Sequence, residues 1–324
     1  GGGTAPANQT VTHGASITLP GWGSITSNSG QDFQWNDGSS NYAHGASYTI
    51  TSTVTFSALW GPFTSAAAVG RYLDTSTGGK GGAANNPVLL SVAINLSSEW
   101  GNLLSTLQSK NKYVALDLST STMTGTEFDP GTATTGKDRI VSLTLPTAAL
   151  SIKAGTSYST RTFKNFTALD EIRGANVKII GDLAFDYCKA LSTVDLPAAS
   201  SIGIYAFESC TALTSVSLPV VTSIGNYAFY SCSALSTVSL PAATSIGDGA
   251  FGNNRTQALT ITLGATAPTL GVDMFSDITS KTVTVQAPSG ATGYTSTWQD
   301  AFKGKGSAGT GTINNSITLT VQTY

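Results

Sequence analysis

The sequence is short of charge and of the side chains that carry most chemistry. Lys, Arg, Asp and Glu make up 10% of 324 residues, and 16 cations against 18 anions give a net charge of -2, so it shows no electrostatic footprint for nucleic acid or anionic lipid. With 2 His and 3 Cys in the whole chain, most catalytic and metal-binding constellations cannot be assembled. No apolar run approaches the roughly 20 residues that cross a bilayer as a helix. The chain opens on Gly1-Gly2-Gly3, with neither a Met nor an apolar export segment, as a processed or trimmed chain would. What is abundant is apolar residue, 40% of the chain, in a background rich in Gly, Ser and Thr. That is material for two or three cores rather than one.

The apolar residues are periodic. Phe163, Phe185, Phe207, Phe229 and Phe251 recur every 22 residues, as do Leu169, Leu191, Leu213 and Leu235, and Leu196, Leu218 and Leu240. Cys188, Cys210 and Cys232 keep the same interval, and so do Ile180, Ile202, Ile224 and Ile246, each followed by Gly. A fixed period of this length marks a stacked-repeat architecture. Within Leu213 to Cys232, the alternation at Val216 and Leu218 predicts a short strand that Pro219 ends. Ile224-Gly225 predicts a second extended turn, and Asn226 to Tyr230 a helical or 3₁₀ turn that drops Phe229 inward. One such unit cannot bury its own apolar face; stacked units share a core and align their strands in parallel, which makes a solenoid.

The run Asp182-Leu183-Ala184-Phe185-Asp186-Tyr187-Cys188-Lys189-Ala190-Leu191-Ser192-Thr193-Val194-Asp195-Leu196-Pro197 resembles the Treponema-type, or BspA-like, leucine-rich repeat of bacterial surface proteins. Four units, roughly residues 163 to 251, fit closely, and Ile261-Thr262-Leu263, Phe275 and Val283-Thr284-Val285 continue with drifting spacing. Tyr294 and Trp298, before Gly304, resemble the aromatic terminus of such arrays. Upstream, Trp100, Leu103, Leu104 and Leu107 have helical spacing across Ser98 to Lys110, with Ser97 or Ser98 as N-cap. Val114 to Leu118 alternates like a strand, and Val141 to Pro146 repeats the strand-Pro signature.

Residues 1–61 alternate differently. Tyr48 and Ile50, then Val54, Phe56, Ala58 and Trp60, separated by Gly-rich and Asn-Asp-Gly clusters, predict a small antiparallel β module. Phe33, Trp35-Asn36, Tyr42, Gly45 and Trp60 resemble the Listeria-Bacteroides repeat, or internalin B-repeat, although Phe33 and Trp35 are one residue closer than that pattern and its usual first strand is missing. The resemblance implies a β-grasp-like fold and a surface-spacer role. The expected fold class is therefore a leucine-rich-repeat solenoid of short parallel strands with 3₁₀ or helical turns, preceded by this module. The domains expected are 1–61, the β module; 62–155, an N-terminal cap and irregular first coils; 156–304, the solenoid; and 305–324, a linker and C-terminal strand.

Few residues suggest chemistry. Cys188, Cys210 and Cys232 occupy one position on successive coils, about 4.8 Å apart, which predicts an interior column of small hydrophobes. Distance alone leaves a disulfide between neighbours open, and the odd count leaves one thiol over. Asp117-Leu118-Ser119-Thr120-Ser121 matches the Asp-x-Ser-x-Ser pattern that holds Mg²⁺ in adhesion domains, but a solenoid strand followed by a Ser/Thr turn is the simpler assignment. Glu127, Asp129 and Asp138 are expected to be solvated loop acids, and Thr77 to Gly82 a loop without phosphate-loop spacing. His13 and His44 both precede Gly-Ala-Ser and look like matched turn positions. No catalytic residue, metal ligand or cofactor is assigned, and the chain is expected not to be an enzyme.

What remains is surface. Arg173, Asp195, Ser217, Ser239, Thr262 and Thr284 lie between core positions and are expected on the concave face, flanked by Glu171, Thr193, Ser215, Thr237 and Thr260. Tyr205 and Tyr227 precede Ala-Phe, and Tyr187 and Tyr230 lie just before a Cys, forming a lateral aromatic set. The BspA-like resemblance implies a bacterial cell-surface or secreted protein. It implies adhesion to host extracellular-matrix or cell-surface proteins, or to other bacteria and their surface components, without nucleic acid, cofactor or transmembrane segment. The alternative is a passive spacer or coat of the cell surface.

Overall fold

The computed structural model describes residues 62–74, 81–254, 258–276, 281–305 and 317–324, and within residues 1–61 the backbone of the strands. The chain divides into two compact units, Gly1–Thr122 and Met123–Tyr324.

In the first unit, strands Gln9–Val11, Val54–Gly61, Asp32–Asn36 and Asn41–Ala43 form an antiparallel sheet in that order. Ser16–Thr18 pairs antiparallel with Ser47–Thr49. His13, His44, Gly45 and Ile50, and most of the Thr77 to Gly82 loop, lie outside the described residues, as do the side chains of Phe33, Trp35, Tyr42 and Trp60. Beyond the sheet, strands Val88–Ser91 and Val114–Asp117 pair in parallel, beside helices Ala66–Asp74 and Leu96–Lys110. The longer helix buries Trp100, Leu103, Leu104 and Leu107, the residues whose spacing predicts it. It begins two residues earlier than expected. Its N-cap is Asn95, whose Oδ1 accepts from the Ser97 N–H at 3.0 Å, while the Leu96 N–H donates to Thr122 O. Lys110 near its end pairs with Asp74 of the other helix at 2.6 Å.

The second unit is a parallel-strand solenoid. Each coil contributes to two ladders. One consists of seven strands of two residues each, Glu127–Phe128, Ser151–Ile152, Ile179–Ile180, Ser201–Ile202, Ser223–Ile224, Ser245–Ile246 and Thr269–Leu270, parallel throughout. The other holds the longer strands in two hydrogen-bonded runs: Ile140–Thr144, Glu171–Arg173 and Thr193–Asp195, then Ser215–Ser217, Thr237–Leu240, Ala258–Leu263, Lys281–Ala287 and Ile317–Thr323. Between the ladders runs a spine of phenylalanines. Phe163, Phe185, Phe207, Phe229 and Phe251 are buried, with successive ring centroids 4.6 to 5.7 Å apart and nearly parallel planes. Each buried ring contributes roughly 1.5–3 kcal/mol by leaving water, and stacking adds about 0.5–1.5 kcal/mol.

The coils approach closely at the Ile-Gly strands. A Cβ on Gly225 would lie 2.6 Å from the carbonyl carbon of Gly203, which explains why Gly follows each of these isoleucines. The segment after it, where a helical or 3₁₀ turn is predicted, does carry 3₁₀-type bonds from Ala228 N–H to Gly225 O and from Tyr230 N–H to Tyr227 O. Left-handed residues interrupt them, Tyr227 at φ 56° and Ser231 at φ 58°, so the turns cannot join into a helix. Those residues aim their amides along the stack instead: Tyr227 N–H donates to Asp248 O and Ser231 N–H to Gly252 O.

The aromatic end expected at Tyr294 and Trp298 closes the last coils. Trp298 Nε1 donates to Pro268 O and Tyr294 OH to Gly264 O, each at 2.8 Å, and Phe302 packs on both Trp298 and Phe275.

Candidate functional site

The face of the longer strands alternates as the sequence requires. Ile172, Val216, Val238, Ile261 and Val283 point into the core, and their neighbours point out. Arg173 lies opposite Asp195, and Ser217 opposite Ser239, which in turn lies opposite Thr262. The column then passes to Gln286, whose Oε1 accepts from Thr262 Oγ1 at 3.2 Å. Thr284, expected to continue that column, instead lies opposite Thr260 on the same face. The reason is spacing: the 22-residue interval of the longer strands is lost after Leu240, and each later strand joins the sheet through a longer excursion. Glu171 pairs with Arg173 at 2.6 Å and accepts from Ser142 Oγ at 2.9 Å, so the cationic end of the face is largely neutralised. The rest is hydroxyl, the Gln286 amide, the Asp195 carboxylate and backbone.

On the flank, the tyrosines are ordered by one another. Tyr205 and Tyr227 stack with centroids 4.9 Å apart at 7°, Tyr158 extends the row beside Tyr205 at 6.2 Å, and Tyr230 meets Tyr227 edge-on at 5.8 Å. Tyr187 lies under the Arg161 guanidinium at 4.6 Å and the Lys189 ammonium at 5.2 Å. Ring faces are thereby taken up by neighbours and cations, and what the row offers outward is ring edges and hydroxyls. Behind it sit two acids at one position on successive coils, Asp186 and Glu208. Arg161 Nε donates to Asp186 Oδ2, whereas Asp186 Oδ1 and Glu208 Oε2 are buried without a hydrogen-bond partner among the described residues. Burial, and then the Asp186 charge, push Glu208 up to about 7; burial raises Asp186 as well, against the pull of Arg161.

The residues weighed for chemistry are committed to structure. Asp117 Oδ1 accepts from the Ser119 N–H at 2.8 Å, and Ser121 is buried, donating to Val92 O at 2.6 Å and accepting from the Ile94 N–H at 3.2 Å. Carboxylate and hydroxyls therefore serve neighbouring strands and turns. Among the described residues no group of three or more His, Cys, Asp or Glu could hold a metal. Cys188, Cys210 and Cys232 are free and buried, and their thiols donate to Phe163 O, Phe185 O and Phe207 O one coil back. Burial raises all three, Cys232 to about 12, so they are inert as nucleophiles. Among the described residues no helix is long and apolar enough to cross a membrane.

One concave feature escapes the sequence reading. At the first coils of the second unit, a cleft of about 450 Å³ gathers Lys137, Lys153, Arg161 and Lys164 with one carboxylate, Asp129. Lys153 pairs with Asp129 at 2.6 Å, and the Lys164 Nζ donates to Ser159 O at 3.0 Å. Lys137 is 2% exposed, donates to Gly131 O at 2.5 Å and lies 5.4 Å from the centre of the Phe166 ring. Burial pushes it down to about 8, with Asp129 pulling the other way. These residues fall in the irregular coils before the 22-residue register, where no column draws attention to them. The available signal was cationic clustering in a chain with 16 cations in all.

Comparison with known proteins matches the repeats. Residues 156–282 match the family described as BspA type leucine rich repeat region, in six copies. Among solved structures, a leucine-rich repeat protein from Bacteroides ovatus ATCC 8483 is 20% identical, with a TM-score of 0.31, over 57% of this chain and 52% of that one. A leucine rich cell surface protein from Faecalibacterium prausnitzii A2-165 is 18% identical, with a TM-score of 0.30, over 62% of each chain. The chain thus spans about half and three-fifths of the lengths of those two proteins. No curated protein matches. The second unit is a leucine-rich-repeat solenoid, and its residues 156–282 match the BspA type.

Proposed function

We propose that this chain is a bacterial cell-surface or secreted binding protein whose solenoid, residues 156–304, docks noncovalently on host matrix or cell-surface proteins or on the surface components of other bacteria. The observation that carries this is the outward face of the longer strands. Arg173, Asp195, Ser217, Ser239, Thr262 and Thr284 stand on a backbone fixed by two runs of parallel ladder, so a partner meets a surface already ordered. Binding then costs little loop ordering, which offsets the sparse charge. The flanking tyrosines Tyr187, Tyr205, Tyr227 and Tyr230 would form the rim of such a contact through their edges and hydroxyls.

The test is binding of the full chain, at physiological salt, to immobilised matrix proteins, host cell-surface proteins and bacterial surface material. Ser217→Lys and Ser239→Lys, placed side by side on the face, are expected to weaken a saturable interaction at least tenfold while leaving the circular dichroism unchanged. Undiminished binding by both variants would remove the strand face. An absence of any partner together with self-association would favour the passive spacer, a reading supported by the hydroxyls spent between coils, as where Thr222 Oγ1 donates to Ser200 O and Thr244 Oγ1 to Thr222 O.

A further inference from the structure

The cleft of the first coils lies outside the proposed docking face: Asp129 and Lys153 follow strands of the two-residue ladder, not of the longer-strand sheet. Its chemistry narrows what could fit. Four of its lining side chains are cationic and one is anionic, in a chain whose overall charge is negative. The cations are not all spent internally. Arg161 uses Nε on Asp186 and lies over the Tyr187 and Tyr158 rings at 4.6 and 5.7 Å, and among the described residues its two Nη atoms make no hydrogen bond. Lys164 has one acceptor, Ser159 O, for three ammonium protons. Lys137 is held by a single carbonyl and a ring face, an arrangement that leaves a buried cation without a contacting carboxylate.

The remaining lining carries several hydroxyls. It includes Thr132, Thr134, Thr156, Ser159, Thr160 and Thr162 and the side-chain amide of Asn165, with Thr156 and Thr160 bonded to each other at 2.9 Å and Thr162 to Lys153 O, and Ala133 and Ala154 are the wholly apolar side chains present. A purely apolar ligand would leave the four cations without a counter-charge. A bare inorganic anion would leave most of the 450 Å³ filled with water, a volume within the usual range for small-molecule clefts, about 300–1,000 Å³. A ligand that satisfies both size and polarity is a sugar ring bearing an acidic group.

We propose that this cleft binds an acidic sugar residue, its carboxylate or sulfate held by Lys137, Arg161 and Lys164 and its hydroxyls by the threonine-rich walls. Lys153, already paired with Asp129, supplies a further ammonium proton. The site is independent of the strand face, and the molecule would thereby carry a glycan contact separate from its protein contact.

The test is titration of the full chain at pH 7 with sodium glucuronate, glucose 6-sulfate, glucose, sodium acetate and sodium sulfate, followed by saturation-transfer NMR and calorimetry at low and high salt. At least one acidic sugar is expected to bind saturably, weaken at high salt, and exceed both glucose and its matching inorganic or acetate ion by tenfold or more. Lys164→Glu is expected to lower that affinity at least tenfold. Lys153→Gln, which leaves Lys137 and Arg161 in place, is expected to lower it two- to fivefold, and Ser217→Lys should leave it unchanged. Failure of both acidic sugars to bind overturns the proposal. So does acetate or sulfate binding as tightly as the corresponding sugar, which would mean a counterion site, and so does full affinity in a folded Lys164→Glu protein.

Discussion

Asp186 and Glu208 place two carboxyl groups on consecutive coils, with one guanidinium, Arg161, paired to Asp186 and acting on Glu208 through its charge. The folded-state pKa of Glu208, about 7, lies above its ordinary value of 4.5, so the folded protein holds a proton that the unfolded chain releases. The stabilising contribution of that protonation is complete below about pH 4.5 and is lost as pH rises through 7; Asp186, also raised, acts in the same direction. Stability should therefore fall between pH 5 and pH 8. Glu208→Gln, neutral at every pH, is expected to flatten part of that slope and to raise stability at pH 8 by about 1 kcal/mol once solvent screening of a half-exposed carboxylate is allowed for. Thermal melts of both proteins at pH 5 and pH 8 decide it. A parallel pair of curves would mean that the acid pair does not titrate as described.

The element that sets the coil spacing is the Ile-Gly strand with the residue after it. Asp248 N–H donates to Asn226 Oδ1 at 2.9 Å, Val272 N–H to Asp248 Oδ1 at 2.7 Å, and Ile204 N–H to Asp182 Oδ1 at 2.7 Å, so these side chains bridge neighbouring coils where glycine brings them together. Gly225→Ala would push a methyl group into backbone rather than into a flexible side chain, and overpacking of that kind costs up to about 3 kcal/mol. Denaturant unfolding is expected to show that loss, whereas Ala at the exposed position Ser215 should change stability by less than about 0.5 kcal/mol. A Gly225→Ala protein as stable as the parent would show that the coils can separate locally without penalty. The glycines, leucines, phenylalanines and cysteines were legible because stacking makes each core position see the same environment, and so repeat the same residue. What the period could not reveal was of two kinds. Asp182, Asn226 and Asp248 do a shared job with different residue types, and the shift that seats Gln286 beside Thr262 arises where the interval itself changes. Asn95 is not legible as N-cap from the apolar spacing, which starts only at Trp100, five residues inside.

At the scale of the molecule, the second unit is held together by nearest-neighbour contacts along one axis, and its phenylalanine spine makes this testable. Phe207 stacks on Phe185 and Phe229 at 5.2 and 5.3 Å, in the middle of the stack, whereas Phe302 meets Phe275 and Trp298 at its end. Truncation of a buried Phe to Ala costs about 3–5 kcal/mol at either place, but the consequences differ in a quasi-one-dimensional fold. Phe302→Ala should fray the coils around Trp298 and leave the remainder protected. Phe207→Ala should weaken the coupling between the coils on its two sides, so that amide exchange accelerates across residues 180–250 and the unfolding transition broadens. Hydrogen exchange resolved along the chain distinguishes the two patterns. Equal acceleration everywhere in both variants would mean that the unit folds as one cooperative block, and that its extended face is no more divisible than a globular core.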